Sequence, residues 1–331
     1  MSQPARSGTS GFETPTRFAP ELLYRAARLY YLEDATQAEI AVILDTSRPT
    51  VSRLLAQARA NGIVHIEVRD PVQESTTELA HALTRALELR AAYVTPAGTG
   101  RHLGTVLAEG VGHALRRATM TAGDALLVSS GATLHAVAQQ PLPSLPGVLV
   151  APTVGGVDEP GELYQTNEIT RTIAVKVHGT PVLLYAPLQP SQNLFRVLMQ
   201  DESTRRVTSL WGSARAALLG IGAPPRTRQL RPSVLSRDDM ALASAVGDIC
   251  ARPFDSDGRP LSFPGSARLV AMDLDDLTRM PHTIGVAVGV DKLPAILAAT
   301  RAGWINTLVT DVPTAKTLLE HVDGLAVLAP A

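Results

Sequence analysis

From Thr36 onward the chain sets hydrogen-bonding side chains and arginines at the spacing of two capped helices: TQAEIAVILDTSRPTVSRLLAQARANGIVHIEV, residues 36–68. The Thr36 hydroxyl can accept the unbonded N–H three residues on, and Glu39 can reach back to the Thr36 N–H, which makes a capping box. Ile40, Ala41, Ile43 and Leu44 supply an apolar face. Asp45 and Thr46 form a turn. Ser47 then caps a second helix, whose early Pro49 lacks only an N–H that a helix start leaves unbonded anyway. Val51, Leu54, Leu55 and Ala58 follow at helical spacing on the core side. Arg48, Thr50, Ser52 and Arg53 remain on the other side, where a helix-turn-helix presents guanidinium and hydroxyl groups to base edges in the major groove. Gln37 and Ser47, at the two helix starts, complete the candidate DNA-binding set. Asn61-Gly62 ends the second helix, and the β-type run after it predicts a wing.

Charge sharpens this reading. Residues 47–60 hold Arg48, Arg53 and Arg59 and no acid, yet residues 1–70 hold eight Arg and eight acids. The whole chain has a net charge of −1, which excludes general polyanion binding as its main activity. One basic helix in a neutral segment suits a protein that relies on base contacts and dimerisation.

Four later places combine glycine with polar residues. In LLVSSGATLHAVA, residues 126–138, a strand runs through a short turn into a helix. The free N–H groups of such a turn, around Gly131 and Ala132, attract an anion, and the Ser130 and Thr133 hydroxyls can add bonds to phosphate oxygens. A plain βα turn with Thr133 as a cap explains the same residues. Gln165 and Asn167, in ELYQTNEI after PTVGG, offer donors and acceptors suited to sugar hydroxyls, or else simply polar residues at a helix start. Asp248, between Gly247 and an apolar pair, reads as inward-facing and able to bind hydroxyls. Asp255, Asp257 and Gly258 read as a turn without the remaining ligands of a calcium loop. A strand ending near Gly289 leads to Lys292, one of only three lysines beside 27 arginines. A compact ammonium there suits a phosphate, with a solvated surface lysine as the alternative. The eight histidines are scattered without metal-ligand spacing. No acid and base are paired in a catalytic motif, so no catalytic residue, metal or cofactor is expected.

These residues need elements to hold them. At 331 residues, with 45% apolar and 18% charged content, the chain is a globular protein of roughly two or three domains. No apolar run approaches the ~18 residues that span a bilayer, so no membrane partner is expected. The first 16 residues lack the apolar segment of a signal peptide and suggest a mobile arm. A single cysteine, Cys250, excludes an internal disulfide and fits a reducing cytoplasm. A first helix is expected over 19–33, a linker over 71–75 and a second amphipathic helix over 77–89. Strands are expected at 92–95, 125–129, 148–151, 182–185, 216–221, 283–288 and 307–310. Helical patterns lie between most of them, at 103–118, 164–177, 292–302 and 314–321. Alternation of this kind predicts parallel βαβ units and a sheet covered on both faces. The expected division is a disordered arm at 1–17, a DNA-binding domain at 18–70, a linker or oligomerisation helix at 71–90 and a ligand domain at 91–331.

Taken together, the TQAEIA and SRPTVSRLL head, SSGAT, PTVGG, YQTNEI, VGDIC, GVAVGVDK and LVTD resemble the SorC family of sugar-binding transcriptional regulators, which is related to bacterial deoxyribonucleoside and central glycolytic gene regulators. The resemblance runs over nearly the whole chain from about Leu22. It implies an α/β protein: a winged helix-turn-helix domain followed by a doubly wound effector domain similar in fold to glucosamine-6-phosphate deaminase and ribose-5-phosphate isomerase. It implies a homo-oligomer, dimer or tetramer, that binds double-stranded operator DNA in the cytoplasm under control of a phosphorylated sugar or polyol. Residues 129–133 and Lys292, after Gly289, would hold the phosphate; Gln165, Asn167 and Asp248 would lie near the sugar. Asp45 stands where the family usually has glycine, so its backbone is expected in the left-handed region. The competing expectation is a sugar-phosphate isomerase or deaminase with a DNA-binding appendage. A recombinase or sigma-like factor would need a catalytic domain or polymerase-binding helices that the sequence does not display.

Overall fold

The computed structural model describes residues 18–65, 71–98, 103–157, 165–225 and 240–328. It divides into two compact units, Met1–Arg69 and Asp70–Ala331.

In the first unit α1 spans Pro20–Tyr31, α2 Gln37–Ile43 and α3 Arg48–Ala60. The capping box forms: Glu39 N–H donates to Thr36 Oγ1 at 3.3 Å, and Thr36 N–H donates to Glu39 Oε2 at 2.8 Å. Asp45 takes φ 46° between α2 and α3, as a tight turn there requires. Leu23, Ala26, Ile40, Val51, Leu54 and Ala58 are buried together, and that core fixes the angle between the helices. The apolar face expected of α2 is narrower than its sequence. Ile40 and Ala41 are buried, but Ile43 is 49% exposed and Val42 82%. Two helical turns lay only the 40–41–44 stripe on α1 and α3, and the neighbouring positions rotate outward. Residues 61–65 form no strand, and the expected wing beyond them, like the expected arm at 1–17, lies outside the described residues.

The second unit opens with α4, Pro71–Ala86, so the expected linker at 71–75 is helix instead. Pro71 suits the first helical turn, where its missing N–H costs nothing. Then follow β1 (Ala91–Thr95), α5 (Leu103–Arg117), β2 (Ala125–Val128), α6 (Ala132–Ala138), β3 (Leu149–Pro152), α7 (Thr166–Lys176) and β4 (Thr180–Pro181). The chain continues through α8 (Gln192–Gln200), α9 (Glu202–Trp211), β5 (Ala216–Gly220) and a hairpin of β6 (Gly247–Ile249) and β7 (Arg252–Phe254). It ends with α10 (Leu274–Arg279), β8 (His282–Val286), α11 (Leu293–Arg301), β9 (Thr307–Asp311) and α12 (Val312–Leu328).

Seven strands form one parallel sheet in the order β1-β9-β8-β5-β2-β3-β4. Successive residues face opposite sides of a strand. Leu126 and Leu218 therefore pack with α5, α6 and α7, while Leu127 and Leu219 pack with α4, α9, α10, α11 and α12. Both faces are covered, the doubly wound arrangement that the alternating pattern predicts. The strand expected at 182–185 is displaced to the two residues of β4. The Val182 N–H still donates to the Val150 carbonyl at 2.8 Å. The Leu184 N–H and C=O are taken instead by the Asn167 side chain, at 3.1 and 2.9 Å.

Candidate nucleic-acid interface and ligand crevice

The interface begins with the cap of α3. Ser47 Oγ accepts from the Thr50 N–H at 3.3 Å and shares a 2.8 Å hydrogen bond with the Thr50 hydroxyl. Thr50 is half-buried, so its hydroxyl serves the cap first rather than pointing straight outward as expected. Arg48, Ser52, Arg53 and Arg59 are exposed, and among the described residues none of these arginines is in an ion pair. Val51, Leu54 and Leu55 anchor the opposite side, so burial itself turns the cations to solvent. Gln37, half-buried, meets Arg48, Thr36 and Tyr30 around an open groove of about 790 Å³. An amide, a phenol and a guanidinium share this rim with the Asp34 carboxylate, beside the start of α3. Tyr30, on α1, is 36% exposed.

In the second unit the strand order reverses between β2 and β5, since β2 leads on to β3 at one side and β5 to β8 at the other. Open parallel sheets part their loops at such a point and leave a crevice beyond the carboxyl ends of the strands. Ser129, Ser130 and Gly131 leave β2 there. Ser129 N–H donates to the Leu218 carbonyl at 3.0 Å, and Ser129 Oγ accepts from the Gly220 N–H at 2.8 Å. The serine thus stitches the exits of β2 and β5, a role the sequence reading did not assign. Gly131 has φ 126° and ψ 158°, a conformation open in practice only to glycine, and it turns the chain into α6 at Ala132. Ala132 is exposed and Thr133 half-buried.

Asp248 lies against the β5 exit: Gly222 N–H donates to its carbonyl at 2.9 Å, and the residue is 7% exposed. Beyond the end of the next strand, β8, Gly289 takes φ 111°, and Lys292 closes the 3-10 turn that leads into α11. The Gly289 N–H donates to Thr314 Oγ1 at 2.8 Å, which holds the turn. Gln165 and Asn167 follow the β3 exit. Gln165 Nε2 donates to the Val157 carbonyl at 2.8 Å, and both ends of the Asn167 amide hold Leu184. The Asn167 amide thus fixes the chain that follows β4. Thr166 beside it is buried, and its hydroxyl has no partner among the described residues.

The candidate ligand residues therefore sit on four adjacent exits, in the order β3, β2, β5, β8. Three inter-strand steps of about 4.8 Å span ~14 Å. The Cys250 thiol below the crevice is pushed up to about 12 by burial, so it stays protonated and is no nucleophile. Among the described residues no cluster of His, Cys, Asp and Glu is arranged to hold a metal, and no helix is long and apolar enough to cross a membrane.

A helix-turn-helix head followed by a doubly wound α/β domain, with polar and glycine residues gathered at its strand-order reversal, is the architecture of a two-domain DNA-binding transcription regulator. Residues 72–320 match the family described as "Putative sugar-binding domain", and residues 28–61 match sigma-70, region 4. The deoxyribonucleoside regulator of Bacillus subtilis (strain 168) is 32% identical over 308 residues, covering 91% of this chain and 98% of its own. The sorbitol operon regulator of Klebsiella pneumoniae is 30% identical over 311 residues, covering 90% and 98%. The crystal structure of the full-length sorbitol operon regulator SorC from K. pneumoniae superposes with a TM-score of 0.67 at 27% identity, over 92% of this chain and 100% of that one. The chain belongs to the SorC family of sugar-binding transcriptional regulators. Its relatives and structural neighbours are regulators and not enzymes, which sets aside the isomerase or deaminase expectation. The sigma-type match covers the DNA-reading head alone.

Proposed function

We propose that this regulator reads a pseudo-palindromic duplex operator through α3 and that a phosphorylated sugar or polyol in the crevice sets how tightly it does so. Arg48 and Arg53 pair with base edges; Gln37, Ser47 and Ser52 hold the adjoining backbone. Residues 18–70 act as the reading head, 71–90 carry oligomer contacts and 91–331 bind the effector, in the cytoplasm where operator DNA lies. The observation that carries the effector half is the convergence of the Ser130–Thr133 turn, Asp248 and Lys292 on neighbouring strand exits at the reversal point. Two relatives are named for deoxyribonucleosides and for sorbitol, which favours a small polyhydroxylated effector here as well. Control requires that the effector bind one arrangement of the regulator better than the other; equal affinity shifts nothing.

A thermal-shift screen of phosphorylated and unphosphorylated sugars and polyols tests this. A specific ligand stabilises by about 2.7 kcal/mol at a hundredfold excess over its Kd. The shift should appear with the phosphorylated compound, be absent with its dephosphorylated form, and vanish in Lys292→Ala while the unliganded Tm stays put. An equal shift with the dephosphorylated form, or an undiminished one in Lys292→Ala, removes the phosphate anchor.

A further inference from the structure

The two edges of the sheet are built differently. At one edge β4 is two residues long and contains Pro181, which blunts it against further pairing. At the other, β1 runs five residues without proline or lysine. The Arg90 N–H donates to the Asn306 carbonyl at 2.8 Å, so by the two-residue repeat the groups of residues 90, 92 and 94 face β9. Those of Ala91, Tyr93 and Thr95 face away from the sheet. The outer side of β1 is the floor of a groove of about 710 Å³, walled by α4 and α5.

The groove is charged in a polar way along its length. Gly110 of α5 lies against Tyr93 and Thr95, which puts Glu109 near the carboxyl end of β1. Arg117, eight residues beyond Glu109, lies about 12 Å along α5 toward the end where Arg90 enters. Four strand steps from Ala91 to Thr95 cover ~13 Å, so Glu109 and Arg117 bracket the strand. Burial first, then Arg215, Arg90 and Arg117 around it, hold the His282 imidazole below its ordinary range, which marks the amino end as cationic.

We propose that the outer edge of β1 pairs antiparallel with β1 of a second copy of this chain about a two-fold axis at Tyr93, placing Arg117 of each copy against Glu109 of the other. In this register Tyr93 pairs with its own counterpart, and Ala91 with Thr95, each as a hydrogen-bonded pair. Antiparallel pairing uses the outward groups of every second residue, and those are the ones β1 leaves facing out. The two seven-stranded sheets become one. A parallel pairing would set like charges together at both ends. The proposal rests on the homo-oligomer reading above and adds to the contacts of residues 71–90 a surface of its own, the outer edge of β1.

Sedimentation equilibrium of the full chain tests it, with far-UV circular dichroism to confirm folding. Glu109→Arg sets cation against cation and should raise the dissociation constant of this contact by about tenfold or more, a loss of ~1.4 kcal/mol per factor of ten. Adding Arg117→Glu to the same chain should restore the wild-type assembly. Hydrogen exchange at the Tyr93 amide should be slow in the wild-type assembly, fast in Glu109→Arg and slow again in the double variant. A wild-type chain that is monomeric throughout overturns the oligomer reading and this surface with it. An oligomer that both variants leave unchanged, with Tyr93 exchanging freely, keeps the oligomer and overturns its location at β1. Slow Tyr93 exchange only after an unrelated acidic peptide is added assigns the edge to another partner and overturns self-pairing.

Discussion

Asn167 shows what a residue's type reveals and what it conceals. An asparagine at a helix start is polar for a reason, and the sequence reading supplied the right inventory of donor and acceptor. Its partner is Leu184, 17 residues away, and only the fold brings the two together. Asn167→Ala leaves a backbone N–H and C=O without that partner. Thermal denaturation should show a loss of about 1–3 kcal/mol. Asn167→Asp keeps the acceptor and should fall between the two. A wild-type Tm in Asn167→Ala would show that water replaces the amide at no cost. Ser130, Gly131 and Lys292 are different: strand-exit positions follow from the βα pattern, so their placement was legible, while Ser129 was not, since its partner Gly220 lies on a strand far along the chain.

At the scale of the element, capping chemistry was the most legible feature. Thr36 with Glu39, and Ser47 ahead of Pro49, set the starts of α2 and α3 where the side chains require. The Thr36 N–H, and then the Thr36 hydroxyl, hold the Glu39 carboxyl below the ordinary glutamate range. A carboxylate whose pKa is lower folded than unfolded stabilises above the unfolded pKa. That contribution is lost as the pH falls through the lowered one. Acid should therefore loosen the reading head by this route, and Glu39→Gln, which keeps a hydrogen-bonding cap but cannot titrate, should flatten the acid limb of its unfolding curve. An acid limb of unchanged slope would assign the sensitivity to other carboxylates. The β6–β7 hairpin was not legible. Its strands are three residues each, too short to show alternation, and its turn places Cys250 and Ala251 at φ 52° and 57° without the glycine or asparagine that would announce it. The segment at 182–185 reads as strand because it is apolar; the Asn167 clamp on Leu184 decides otherwise.

At the scale of the whole molecule, alternating apolar runs made the parallel sheet and its two covered faces readable, because a strand buried on both sides leaves a continuous apolar signature. Strand order was not readable. It depends on which crossovers go left or right, and it is the reversal between β2 and β5 that gathers the candidate ligand residues. A net charge of −1 and one cationic helix face imply a regulator that relies on base contacts more than on bulk attraction to phosphate. Fluorescence anisotropy with duplex DNA from upstream of the chain's own coding region, titrated with and without the compound found by thermal shift, tests that account most directly. The account predicts saturable binding that the compound changes several-fold and a loss of about 1–3 kcal/mol with relaxed sequence preference in Arg53→Ala. Binding that is indifferent both to the compound and to Arg53→Ala would contradict it.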